Sequence, residues 1–190
     1  NSGGQVVINN SNGWYGIYLA NMQHVRLTGV GSSHQYGFVI QKAVLFGLFI
    51  SMKSEYYEVD HIEIQEVTGS NIAIHAKTDA SCPNPNGRNS DDYDYNGDGR
   101  IDSQDVVTRS NFTQHNLVFH DNYIHGYRRS DGSYSIDVAY YVGHSNYSDP
   151  VVTRSCTNSD GSTSTVAVVN PVIEGLHIYN DIINNVGNKV

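Results

Sequence analysis

The chain has 190 residues, a length that suits one domain with a sizeable core, and its net charge of −8 argues against a nucleic-acid binder, whose partner's phosphates demand a basic face. No apolar run reaches membrane-spanning length, and the chain opens on Asn1 with no leader segment in view, so it reads as a mature or trimmed product with no membrane insertion. In chain order, short runs alternate apolar and polar residues between Gly, Asn and Ser turns. They fall in residues 5–19, 24–29, 36–41, 46–51, 59–65 and 71–75. No segment sustains a helical period, which predicts an all-β chain.

Residues 94–105 carry the most specific chemistry. They read DYNGDGRIDSQD and fit the twelve-residue calcium loop of the EF-hand. Asp94, Asn96 and Asp98 fall at positions 1, 3 and 5, and Gly99 supplies the sharp turn at position 6. The Arg100 carbonyl serves at position 7, Asp102 at position 9 and Asp105 at position 12. Ca²⁺ is a hard cation that takes six to eight oxygens, and alternate residues of a tight loop all point inward. Position 12 is Asp rather than Glu, and Pro83, Pro85 and Gly87 forbid an entering helix upstream. In both respects the loop resembles the dockerin-like calcium loops of secreted bacterial proteins. The expected ion is Ca²⁺ in a structural role, with a solvated Asp/Asn/Gly turn as the alternative.

The strands also repeat. His115-Asn-Leu-Val-Phe-His-Asp-Asn-Tyr-Ile-His lies over Glu174-Gly-Leu-His-Ile-Tyr-Asn-Asp-Ile-Ile-Asn when Leu117 is set on Leu176. Phe119 then meets Ile178, Asp121 meets Asn180 and Ile124 meets Ile183, and residues 59–64 fit the same frame with Ile62 and Ile64 inward. Strand, Asn/Asp turn, strand at a fixed spacing is the signature of a solenoid. The pattern resembles the coil of right-handed parallel β-helices of the pectin-lyase-like class, and more narrowly secreted β-helix proteins of the Bacteroidota type, over residues 1–77, 115–142 and 172–190. The resemblance implies one right-handed parallel β-helix domain over 1–190, read as part of a longer solenoid. Its Asn/Asp pairs (Asn9, Asn10; Asp121, Asn122; Asn180, Asp181) would form polar ladders. Strand-and-turn spacing alone also fits a β-sandwich.

Two segments, 78–114 and 143–171, break the repeat and hold all four prolines and both cysteines. They are expected to be loop insertions, since proline is excluded from central strands. Cys82 and Cys156 are the only cysteines and are expected to join the two insertions in a disulfide, with two free thiols as the alternative. Loop disulfides and millimolar calcium sites both belong outside the cytosol, so a secreted, extracellular or cell-surface location is expected.

No catalytic motif is intact. Polygalacturonase-type hydrolases of the resembled class carry N-x-D, D-D, G-H-G and R-I-K; here Gly143-His144-Ser145 breaks the third and the fourth is missing. Asp91-Asp92 lies in an insertion, and the arginine-centred signatures of pectate lyases are missing too. Whether the chain is an enzyme, a polysaccharide lyase or glycoside hydrolase, is left open. His75, Lys77, His125, Arg128, Arg129, Asp137 and His144 lie near the roots of the insertions, and Asp121 and Asp137 are candidate carboxylates for hydrolysis by location only, with satisfied surface or ladder residues as the alternative for each His and Asp. Tyr127, Tyr134, Tyr140, Tyr141 and Tyr147 cluster around the second insertion. Aromatic rings stack on sugars, which makes Arg128, Arg129, Tyr140 and Tyr141 the expected contacts for a polysaccharide or cell-surface glycan. Two functions follow: an extracellular calcium-binding module that binds or processes polysaccharide, or a structural or adhesive surface protein. The second would self-associate through open solenoid ends, stacking into filaments.

Overall fold

The computed structural model describes residues 3–20, 22–51, 54–75, 114–126, 138–143, 151–157, 161–169 and 173–186. The described strands are β1 (Val6–Asn9), β2 (Tyr15–Ala20), β3 (Arg26–Thr28), β4 (Phe38–Gln41), β5 (Phe46–Ser51), β6 (Glu55–Asp60), β7 (Ile62–Gln65), β8 (Ser70–His75), β9 (Gln114–His120), β10 (Tyr123–His125), β11 (Val138–Gly143), β12 (Val151–Thr157), β13 (Thr163–Val169), β14 (Ile173–Tyr179) and β15 (Ile182–Asn184). Sheet A runs β1-β4-β7-β10-β15, sheet B β2-β5-β8-β11 and sheet C β3-β6-β9-β14, and every pairing in the three is parallel. The chain visits the sheets in the order A, B, C and climbs one strand per circuit. This is a right-handed parallel β-helix, and the sandwich alternative, which needs antiparallel sheets, falls away.

The inward residues stack from coil to coil. Leu176 pairs with Leu117, which pairs with Tyr57; Ile178, Phe119 and Val59 follow on the next inward row. On sheet A, Ile40, Ile64, Ile124 and Ile183 stand in one line. Of these, Ile40, Tyr57, Val59, Ile64, Leu117, Phe119 and Ile124 are fully buried, with Leu48, Ile50, Ile62, Ile72 and Ile74 beside them. Each coil cannot bury its apolar residues alone, so neighbours complete the core.

The corners are built from left-handed residues. Among the described residues, the nine non-glycine residues with positive φ fall on three lines along the solenoid: His24, Tyr56 and Asn116, in line with Gly175; Lys42, Glu66 and Asn185; and His61, Asp121 and Asn180. Such a conformation costs a side-chain-bearing residue about 1–2 kcal/mol. Contacts along the lines offset part of this: the His24 and Tyr56 rings stack 4.8 Å apart, and Lys42 lies 3.9 Å from Glu66. One such residue, His61, turns residues 59–65 from sheet C to sheet A, so that run is two strands and not one.

The polar-ladder expectation holds at one corner. Asn122 is buried; its amide donates to the Val59 carbonyl (3.1 Å), its side-chain oxygen accepts from Ile62 N (3.2 Å), and its backbone N–H donates to Asp181 (2.8 Å). Asn9 and Asn10 belong to a different corner, between sheets A and B, where Asn10 donates to the Tyr15 carbonyl.

The chain divides into two compact units. One holds Asn1–His75, Gln114–Gly143 and Ile173–Val190; the other holds Ala76–Thr113 and His144–Val172. The second unit's segments enter the chain between β8 and β9 and between β11 and β14, after paired strands of sheet B in both cases. Residues 143–171 are not only loop. β12 and β13 form an antiparallel pair from Val151↔Val169 to Thr157↔Thr163, because Pro150 and Pro171 bracket two β-branched runs without interrupting either.

Candidate functional site

The outer face of sheet B carries an aromatic ladder. By register, Tyr15, Phe46, Ser70 and Val138 form one row and Tyr18, Phe49, Ala73 and Tyr141 a second, with the ring pairs on β2 and β5 and with Ser70 and Ala73 of β8 buried. Tyr15 stacks on Phe46 (6.0 Å) and Phe49 (5.1 Å), Tyr18 stacks on Phe49 (5.1 Å), and the Phe46 and Phe49 rings lie 5.0 Å apart. Trp14, immediately before Tyr15, is 66% exposed, and Tyr18 and Tyr141 are 46% and 43% exposed. Two rings reach the outside of β2 and of β5 because strict alternation fails here. A Cβ on Gly47 would stand 2.6 Å from Ile64 Cγ2, so position 47 faces inward, and Leu48 behind it is also buried. Phe46 and Phe49 are thereby both left outside, as are Tyr15 and Tyr18 around Gly16 and Ile17.

The outer face of sheet C is polar. Asp60, with its side chain 0% exposed, accepts from Thr28 Oγ1 (2.6 Å) and Arg26 Nε (3.0 Å) and meets His61 Nδ1 at 2.9 Å. Burial pushes its pKa up, but the bonds from Thr28, Arg26 and His61 outweigh this and leave it below the usual carboxylate range. His120 meets Asp121 through Nδ1 at 2.7 Å and Glu58 through Nε2 at 3.2 Å, and its ring stacks on Tyr179 at 5.0 Å. The Asp121 bond, first of all, raises its pKa, since carboxylates at both nitrogens favour the doubly protonated ring.

Glu58, Asp60 and His120 each place a ligand atom within 4.8 Å of the others, so this half-buried cluster is able to hold a cation of unspecified kind. Arg26 already reaches both carboxylates, at 3.5 Å and 3.0 Å, so a metal there competes with the guanidinium and with the His120 proton.

A third group surrounds the turn from sheet C to sheet A. The Tyr140 hydroxyl donates to Asp181 Oδ2, and its ring meets Phe119 edge-on at 5.7 Å. Burial, and then the Asp181 charge, push the Tyr140 hydroxyl far above the usual phenol range; burial also raises Asp181. On sheet A, His125 meets Glu63 at 2.8 Å, Tyr123 stacks on His125 and on Tyr36, and Gln65 donates to Gln41 (3.0 Å) from the next coil, 24 residues away.

Of the residues expected from sequence, Tyr141 faces outward on sheet B, whereas Tyr140 packs against the core. Arg128, Arg129, Lys77, Asp137 and His144 lie outside the described residues, as do Asp94, Asn96, Asp98, Arg100, Asp102 and Asp105. Cys82 lies outside them too, and Cys156 is described through its backbone, opposite Ser164 in the β12–β13 pair, so the expected disulfide falls outside as well. His75 ends β8, and Asp121 is held by His120. Sequence reasoning missed Tyr15, Tyr18, Phe46 and Phe49. The signal was present: Tyr-Gly-Ile-Tyr at 15–18 and Phe-Gly-Leu-Phe at 46–49 are one motif on successive coils.

Comparison with protein-family models, with curated proteins and with solved structures finds no match. No helix among the described residues is long and apolar enough to cross a membrane.

Proposed function

We propose that this chain is an extracellular polysaccharide-binding β-helix whose ligand lies on the outer face of sheet B. The supporting observation is the in-register aromatic surface of Tyr15, Tyr18, Phe46 and Phe49, flanked by exposed Trp14 and Tyr141. Aromatic rings with hydroxyl tips suit sugars, which offer C–H surfaces rimmed by hydroxyls. The parallel pairing of β2 and β5 supports this reading by setting the two pairs of rings one strand spacing, about 4.8 Å, apart. The test is affinity electrophoresis through plant, algal and bacterial glycans; retardation by at least one is expected, and free migration through all of them overturns the reading.

Ca²⁺ completes the proposal. It binds Asp94, Asn96, Asp98, the Arg100 carbonyl, Asp102 and Asp105 and orders the first insertion without taking part in chemistry. The cluster of Glu58, Asp60 and His120 is a different place and lacks the oxygen-only donor set that this ion prefers.

A second reading has its own observation. Ile178, Ile182 and Ile183, on the last described strands, are 40–50% exposed although Ile178 and Ile183 stand on buried Phe119 and Ile124. Exposed core residues on parallel edge strands accept a further coil, and in this reading a second copy supplies it, as in a structural or adhesive filament. Sedimentation over a concentration series separates the two: a monomer at all concentrations rejects stacking.

A further inference from the structure

On the outer face of sheet C, we infer that Glu58, Asp60 and His120 form a binding site for a divalent transition metal of the Zn²⁺ class, which displaces the Arg26 guanidinium. Strand register builds the site. Glu58 and Asp60 stand two residues apart on β6, hence on one side of the strand, and His120 of β9 is the register partner of Asp60. One ligand atom from each lies within 4.8 Å of the other two. An imidazole nitrogen beside two carboxylates suits Zn²⁺, Co²⁺ or Ni²⁺, whereas Ca²⁺ and Mg²⁺ take oxygen donors. Three protein donors leave the fourth position of a tetrahedral ion to water.

The surrounding bonds already orient these donors. His120 Nδ1 meets Asp121 Oδ2 at 2.7 Å, which turns Nε2 toward Glu58 Oε1, 3.2 Å away. A histidine that ligates a metal gives its other ring N–H to a carboxylate in this way. With the hydrogen on Nδ1, Nε2 and Glu58 Oε1 are two acceptors face to face, and a proton or a metal ion belongs between them. The two oxygens of Asp60 divide their partners. Oδ1 accepts from Thr28 Oγ1 (2.6 Å) and meets His61 Nδ1 (2.9 Å), while Oδ2 accepts from Arg26 Nε (3.0 Å). Arg26 also reaches Glu58 at 3.5 Å, but its side chain is 53% exposed. It therefore has water to swing into, and its departure frees Oδ2 while Thr28 and His61 keep the Asp60 carboxylate in place. Half-exposed Glu58 is the side from which an ion enters, with Asp60 buried behind it.

The experiment is titration of the full chain with Co²⁺, read by its visible absorption, and with Zn²⁺, read by calorimetry. Excess Ca²⁺ is present throughout, so that oxygen-only sites are filled. Saturable binding of both ions is expected. Glu58→Gln and His120→Gln should each weaken it about tenfold or more, and so should Asp121→Asn, which acts through the far nitrogen of His120. Arg26→Gln removes the competing guanidinium and should tighten binding several-fold, a result that a merely structural ion-pair network does not give. Glu58 is half-exposed, so Glu58→Gln keeps the fold, and unchanged far-ultraviolet dichroism checks this. Binding indifferent to Glu58→Gln and His120→Gln places the ions on other side chains and overturns the inference. A native chain that binds neither ion overturns it too, even where Arg26→Gln binds them, since the guanidinium is then a fixed partner of the carboxylates.

Discussion

Gly47 stands against Ile64 with no room for a side chain: a Cβ would lie 2.6 Å from Ile64 Cγ2 and 2.7 Å from the Asn71 carbonyl oxygen. The same closeness turns two successive positions inward and leaves Phe46 and Phe49 outside. Gly47→Ala is expected to destabilise the protein by about 1–3 kcal/mol through overpacking. Urea unfolding followed by circular dichroism reads this directly. An unchanged midpoint would mean that the coil yields at Asn71, and that glycine is not what sets the two-ring pattern.

Leu117 is fully buried between Tyr57 and Leu176 on the inward row of sheet C. Leu117→Ala removes a rung from a stack that neighbouring coils cannot collapse without breaking strand register. A loss of about 2–5 kcal/mol is expected from the same unfolding measurement.

Asp60 and Asp181 are expected to respond to pH in opposite senses. The folded pKa of Asp60 lies below its unfolded value, so its contribution is complete above the unfolded value and is lost as pH falls through the folded one. The folded pKa of Asp181 is raised, so its protonated form is favoured in the fold and its stabilising contribution fades as pH rises through that value. Asp60→Asn should cost about 1–3 kcal/mol at neutral pH, since Arg26 and Thr28 lose a charged acceptor. Asp181→Asn should cost less there, because it removes a carboxylate that burial disfavours, even though its single oxygen must then serve both the Tyr140 hydroxyl and the Asn122 N–H. Thermal melts of both variants from pH 3 to 8 check this, and equal losses at neutral pH would contradict it.

Chelation of calcium is expected to raise protease sensitivity between Asn84 and Thr108 while leaving the far-ultraviolet dichroism of the solenoid nearly unchanged. Binding to the folded state alone contributes roughly 2.7 kcal/mol at a hundredfold excess of ion over Kd. Asp98→Ala should reproduce the effect at any calcium level. Global unfolding on chelation would make the ion part of the core's stability, and no change at all would make residues 94–105 a solvated turn.

The coils were legible where core and turn repeat together. Leu117 with Leu176 and Ile124 with Ile183 were set together from sequence, and they are register partners in the ladders. The apolar residues there recur at fixed offsets from an Asn/Asp corner, which leaves a strong period. Sheet B was less legible because its inward line changes from Ile17 to Leu48, Ile72 and Tyr140, so no single residue type repeats. Tyr140 shows the cost. Strict alternation from buried Ala139 places Tyr140 outside and Tyr141 inside, but the two successive inward positions of this sheet reverse both. The polar cluster of Arg26, Glu58, Asp60 and His120 is drawn from three strands of sheet C, and only the register of β3, β6 and β9 brings it together.

Trp14 is the chain's single tryptophan, exposed beside the first rung of the aromatic ladder, and its emission reports on that face alone. The most direct measurement is a fluorescence titration of the full chain with the glycan that retards it most strongly in gels. A saturable shift of Trp14 emission is expected, with a midpoint matching the gel affinity, and it should vanish when Tyr18→Ala and Phe49→Ala are introduced together. Undiminished glycan binding in that double variant, with Trp14 emission unmoved in the native chain, would contradict the assignment of sheet B as the binding face.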